Sequence, residues 1–202
     1  MERYQLRDEI WWVGAIDWNT RDFHGYDTVR GTTYNAYLIL DEKVALIDGC
    51  REEFGHETLA RVQGCCGLRP VDYLIINHVE PDHSGAIPEL VQKLTPERIF
   101  CSKRAKETLI LYFGAALVEG WDLQVVATGD ELPLGRNTLQ FIEAPMLHWP
   151  DSMFTYVKEA KTLLPNDAFG QHLATSKRFA DEVDINIVME EASKYYANIL
   201  MP

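Results

Sequence analysis

The sequence predicts an α/β chain in which two β-sheets pack face to face with helices outside, and three observations carry that prediction. Short runs rich in β-branched and aromatic residues dominate both the first third and the stretch after Gly120. Between them, continuous apolar runs alternate with segments of helical periodicity, the pattern of strand and crossover helix. No Pro/Gly/Ser-rich stretch or run of like charge divides the 202 residues, so residues 1–202 read as one domain with a real core.

Taken in order, EIWWVGAI, TTYNAYLIL and KVALIDG read as strands, the last two joined by a turn at Asp41 and Glu42. EEFGHETLARVQGCCG then carries Phe54, Leu59 and Val62 at helical spacings and stops at glycine, which marks a crossover helix. VDYLIIN is a continuous apolar run short enough for a buried strand, and GAIPELVQKL resumes helical periodicity. RIFCS followed by KRAKETLILYFG repeats the unit. Beyond Gly120, LQVVATG, TLQFIEAP, SMFTYVKEA and KTLLPND are short strands separated by turns, and DINIVMEEASKYYANIL follows as a helix.

A formal charge of -12 would repel a phosphate backbone or an anionic membrane face, which sets nucleic acid and membrane aside as partners. MERYQLRDEIWWVG lacks a basic region followed by an apolar one, and no segment approaches about 18 uncharged apolar residues, so a cytoplasmic protein is expected. Cys50, Cys65, Cys66 and Cys101 show no C-x-x-C spacing, and vicinal Cys65 and Cys66 are poorly placed to bridge each other. Reduced thiols in packed positions are expected.

The chemistry concentrates in INHVEPDHSGA, residues 76–86, where His78, Glu80, Asp82 and His83 follow the VDYLIIN strand directly. These groups all seek protons, metals or water, and they sit on a loop at a strand's carboxyl end, where ligands bind in open α/β sheets. Further ligand-type residues are His148 in PMLHWPDSM and Asp167 and His172 in LLPNDAFGQH.

With these stretches the sequence resembles the metallo-β-lactamase superfamily and, within it, the diiron domain of the flavodiiron proteins, also called A-type flavoproteins. The matching stretches are DFHGYDTVRGTTYNAYLI, HVEPDHSGA, PMLHWPDSM, NDAFGQH and YYANIL, in the family's order over nearly the whole chain. The resemblance implies a metallo-β-lactamase-like αββα sandwich holding two iron ions. One would take His78, Glu80 and His148, the other Asp82 and His83, with Asp167 bridging. Where zinc hydrolases of the superfamily usually show H-x-H-x-D-H, this sequence has Glu80, and a mixed carboxylate and imidazole set suits iron that cycles between ferrous and ferric states. Three carboxylates and one bridging hydroxide would also neutralise two ferrous ions.

The resemblance further implies that the domain is C-terminally incomplete. The family's last strands, its last histidine ligand and its flavodoxin-like domain, whose FMN supplies electrons across a head-to-tail homodimer, would lie beyond Pro202. His172 corresponds to a family histidine that is not a ligand, so a supporting or structural place is expected for it. His24, Tyr26, Tyr195 and Tyr196 resemble pocket residues that donate hydrogen bonds to bound dioxygen or nitric oxide.

Asp151 and Ser152 are expected to orient His148, since metal-bound imidazoles usually donate their other N–H to such a partner. Asn166 is expected to position the Asp167 loop, Trp149 to shield the metals or cap the core, and His56 to face solvent. Trp11, Trp12 and Trp18 are expected inside. The leading expectation is an oxidoreductase that reduces dioxygen to water, nitric oxide to nitrous oxide, or both, with electrons from FMN or a rubredoxin-type donor. A zinc-dependent hydrolase of the same fold and a non-catalytic diiron module that binds and reports these gases remain open beside it.

Overall fold

The computed structural model describes residues 3–201; the chain ends read above, residues 1, 2 and 202, lie outside the described residues. The larger sheet has seven strands in the order Tyr4–Arg7, Ile10–Trp12, Tyr37–Leu40, Val44–Ile47, Tyr73–Ile76, Arg98–Cys101 and Leu123–Val125. Pairing is antiparallel as far as Val44–Ile47 and parallel from there on. Parallel neighbours need crossovers, and helices Gly55–Cys66, Ile87–Leu94 and Lys103–Phe113 supply them. The smaller, antiparallel sheet runs Glu131–Pro133, Thr138–Glu143, Met153–Val157 and Thr162–Leu164.

The sheets meet through Ile39, Ile47, Ile75 and Phe100 on one side and Phe141, Met153 and Val157 on the other. Phe100 and Phe141 stack at 6.0 Å across this seam. Truncating a fully buried aromatic such as Phe141 to alanine costs about 3–5 kcal/mol, so this layer holds the sheets in register. On the opposite face of the larger sheet, Leu46, Leu74 and Ile76 pack with Val62, Leu90 and Leu109 of the crossover helices. Burial on both faces explains why these strands read as continuous apolar runs, whereas Thr138–Glu143 alternates between inner and outer residues.

The structure departs from the sequence reading in several places. EIWWVGAI and TTYNAYLIL are each two strands: Ile10–Trp12 and Tyr37–Leu40 join the larger sheet, while Ala15–Asp17 and Thr32–Tyr34 pair as a separate ribbon. The chain turns at Gly14, where a Cβ would overlap the Tyr34 carbonyl, so only glycine lets the two segments approach. Leu123–Val125, read with the second half, instead lies parallel to Arg98–Cys101 because Lys103–Phe113 is a crossover between them. Trp12 is buried, with its ring N–H donating to Asn35 Oδ1 at 3.0 Å, and Trp11 is half-buried. Trp18, expected inside, is 54% exposed, carried out by the loop after Ala15–Asp17. Among the described residues no helix is long and apolar enough to cross a membrane.

Candidate metal centre

Strand ends of both sheets converge on one rim. Tyr73–Ile76 delivers His78 and Glu80, Thr138–Glu143 leads to His148, and Thr162–Leu164 leads to Asp167. Beneath them the fully buried Asn77 ties the sheets together. Its backbone N–H donates to Asp48 at 2.7 Å, its side-chain amide donates to the Leu164 carbonyl at 3.2 Å, and its Oδ1 accepts from Thr155 Oγ1 at 2.7 Å. Asp82 and His83, read as loop residues, stand on a one-turn helix, Pro81–Ser84, whose proline start fits an N-terminal turn.

Two groups of donor atoms form at this rim. His78, Glu80, His148 and Asp167 each offer a ligand atom within 4.8 Å of the others, and Asp82, His83 and Asp167 do the same. The two oxygens of Asp167 serve different groups: Oδ2 lies 3.1 Å from His148 Nε2 and 3.3 Å from His78 Nε2, while Oδ1 lies 2.9 Å from His83 Nε2. Glu80 Oε2 lies 3.0 Å from His148 Nε2.

Burial opposes charge throughout the site, and neighbouring charges overcome it. For His78, burial lowers the pKa, but bonds to Asp151 and Glu80 push it up to about 9; for His148, Asp167 and Glu80 outweigh burial and push it up to about 9. Burial would raise the Glu80 carboxyl, yet His148, His24 and His78 hold it well below the usual carboxylate range. Asp167 is likewise held low, by His83 and His148 against burial. Asp82 is raised, chiefly by burial and then by Asp167 and Glu80 against the opposing charge of His83.

This set of residues suits a pair of cations. Among the described residues, Asp82 Oδ1 and His83 Nδ1 are buried without a hydrogen-bond partner, and Glu80, Asp82 and Asp167 bring three carboxylates to the two groups. Positive charge between the carboxylates would relieve that crowding, and oxygen with imidazole donors is the chemistry of a redox-capable or borderline transition metal.

Residues around the groups fall partly as expected. Asp151 faces His78 rather than His148, with Oδ2 3.0 Å from His78 Nδ1 and 2.8 Å from the Val79 amide, while Ser152 Oγ accepts from the Trp149 amide at 3.3 Å. The Trp149 ring meets the His78 imidazole edge-on at 5.4 Å. Asn166, at φ 47, donates its side-chain amide to the Met153 carbonyl at 2.7 Å and accepts the Asp167 backbone N–H, which fixes the bend into Asp167. His56 is exposed.

His24 Nε2 lies 3.0 Å from Glu80 Oε1, so His24 joins the rim, and His172 packs behind it, outside both donor groups. Of the tyrosine pair, Tyr195 turns inward. It is buried, and burial with the charges of Asp167 and Asp82 drives its phenol far above the ordinary value. Tyr196 begins the π-turn Tyr196–Leu200, is half-exposed, and does not line the cavity beside the second group. Tyr26 stands one layer back, its ring 5.7 Å from His172. A cavity of about 280 Å³ opens beside the second group, lined by Asp82, His83, Asp167, His172 and Tyr195 among others. Thr32, which bonds His172, was not singled out in the sequence; a threonine in a strand carries no signal of such a contact.

A family model described as ODP family beta lactamase matches residues 32–201. The chain is 51% identical over 199 residues to a nitric oxide reductase of Moorella thermoacetica, covering 98% of this chain and 49% of that protein. It is 42% identical over 203 residues to a rubredoxin-oxygen oxidoreductase of Megalodesulfovibrio gigas, covering 100% of this chain and 50% of the relative. Among solved structures, the flavodiiron protein from Giardia intestinalis matches with a TM-score of 0.94 at 41% identity, over 99% of this chain and 48% of that one. The chain thus spans about half the length of the curated relatives it matches.

Proposed function

Because this chain belongs to the ODP family of metallo-β-lactamase-type domains, alongside flavodiiron relatives, we propose that it is the metal-bearing part of an oxidoreductase that reduces nitric oxide, dioxygen or both. The observation that carries this reading is the division of Asp167 between two donor groups, the arrangement a bridged pair of ions requires. His78, Glu80 and His148 would hold one iron, Asp82 and His83 the other, and Asp167 both. A pair of ferrous ions would supply two electrons and open positions for a diatomic ligand.

The chain's own groups do the rest. Asp151 holds the His78 ring by its Nδ1, leaving Nε2 for the metal side. Tyr195 keeps its proton at any physiological pH and so serves as a hydrogen donor towards the pocket, and His24 stands over Glu80 as a second polar group. Trp149, against His78, excludes water from that side.

Two nitric oxide molecules with two electrons and two protons give nitrous oxide and water. Dioxygen needs four electrons and four protons to give two waters, so FMN on a flavodoxin-like domain or a rubredoxin-type donor must provide the remainder, most simply within a cytoplasmic homodimer. The test is anaerobic ferrous loading of the protein, then gas consumption with a reduced flavin donor. About two equivalents of iron and turnover of either gas are expected. Turnover of neither gas, with thioester or lactone cleavage by the zinc-loaded protein, would sink the proposal.

A further inference from the structure

Arg178 is a half-buried guanidinium that forms no ion pair among the described residues, in a chain where 31 acidic side chains outnumber 19 basic ones. Glu182, four residues on, is engaged elsewhere. Its Oε2 accepts from the backbone N–H groups of Arg178 and Phe179 at 3.1 and 3.0 Å, and its Oε1 lies 4.0 Å from Lys177 Nζ. A cation held out of water without a counter-charge is costly, so its place calls for an explanation.

The guanidinium is firmly fixed. Its central carbon lies 3.8 Å from the centre of the Trp12 ring and 4.5 Å from that of Tyr4, and Nη1 donates to the Thr175 and Lys177 carbonyls at 2.9 and 2.7 Å. Nε and Nη2 are buried and have no hydrogen-bond partner among the described residues. These two nitrogens share one edge of the planar group, and their N–H bonds run side by side. That edge is the fork that matches the two oxygens of a carboxylate.

The surroundings favour an anion. Burial pushes the Arg178 guanidinium below its ordinary pKa; Tyr4 opposes this, and Arg61, whose guanidinium carbon lies 5.1 Å from the same Trp12 ring, adds to it, with Glu182 opposing again. Arg178, Lys177 and Asn35 belong to the wall of the cavity of about 280 Å³ that also touches Asp82, His83 and Asp167.

We propose that the Nε–Nη2 edge of Arg178 is a carboxylate-binding site in the wall of this cavity, with Lys177 supplying a second positive charge beside it. The site is independent of the metal reading, since neither residue belongs to a donor group. Both nitrogens are covered as the wall stands, so entry requires a side chain to give way. Phe179, in the same wall and 49% exposed, can swing outward without leaving the core. The carboxylate is that of a free small acid or of an Asp or Glu side chain from another stretch of polypeptide; the chemistry at the fork is the same.

The Nε–H resonance of Arg178, assigned through the backbone of the isotope-labelled protein, reports on the fork without any variant. Acetate and benzoate are titrated at constant ionic strength, with chloride and inorganic phosphate as controls. A free acid is expected to move this signal downfield saturably and to slow its exchange with water about tenfold. If polypeptide supplies the carboxylate, the signal is downfield before any addition and shows coupling across the hydrogen bond to a side-chain carboxyl carbon. Arg178→Lys keeps the charge and loses the fork, so acetate affinity measured by calorimetry should fall about tenfold. A signal at its ordinary position that answers to no carboxylate, or equally to chloride, overturns the proposal, and an answer to phosphate alone overturns the assignment to a carboxylate.

Discussion

The two donor groups share Asp167 and differ in almost everything behind it. In the first, Asp151 bonds the far nitrogen of His78, His24 bonds the outer oxygen of Glu80, and Asn77 locks the strand end to the second sheet. In the second, Asp82 Oδ1 and His83 Nδ1, atoms of the donor residues themselves, are buried without partners among the described residues, whereas in the first only the outer oxygen of the supporting Asp151 is; Asp82 and His83 also stand on a single helical turn. A buried polar atom left unpaired costs about 1–3 kcal/mol, so the second group is under strain that a bound cation or an added hydrogen-bond partner would relieve. The lesson is that a ligand set is made by its supports as much as by its donors: neighbours in one short motif differ in how firmly they are held.

Four measurements would break or sharpen that contrast. The largest effect is expected from Asp167→Asn, which removes charge from both groups at once. Metal retained after dialysis should fall from about two equivalents to less than one, an affinity loss on the order of 100-fold or more for each ion. Retention of both ions would show that Asp167 does not join them.

Next come the single-group ligands. His148→Ala should abolish the tighter of two binding steps in a calorimetric cobalt titration, while His83→Ala should remove only the weaker one, each by on the order of 100-fold. Equal damage to both steps from either variant would erase the distinction between the groups. Asp151→Asn keeps every donor and loosens one support; the tighter step should weaken about 10-fold and the weaker step stay within about twofold.

The mildest test is pH. His78 and His148 are pushed from 6.5 up to about 9 in the folded chain. A raised folded value stabilises fully below the unfolded value and is lost as pH rises through the folded one. The melting temperature of the metal-free chain should therefore fall between about pH 6.5 and 9. Cations need neutral imidazoles, so apparent metal affinity should climb over the same window. Parallel trends in the two quantities would mean that these histidines are not the groups titrating.

Much of this was legible in the sequence because it is local. Periodicity marked the crossover helices and buried strands, and the spacing of His78, Glu80, Asp82 and His83 declared a cluster before any coordinate. His148 and Asp167 were legible through motif resemblance rather than spacing, since they lie far along the chain. The missed details are long-range contacts. Gly14 looks like any glycine until the Tyr34 carbonyl presses on it, and Trp18 matches Trp12 in composition yet stands on a loop that leads outward.

Asp151 was assigned to its sequence neighbour His148, but the loop folds back and offers it to His78 across 73 residues of chain. The same holds for the tyrosine pair, where the helix phase decided that Tyr195 and not Tyr196 turns inward. Sequence alone determined the crossover helices, the buried strands and which side chains carry metal-type donor atoms, because propensity, periodicity and donor chemistry reside in the residues themselves. Only the tertiary structure decided which of those groups meet and which atoms are left unpaired, because distances between remote strand ends are fixed by how the two sheets pack.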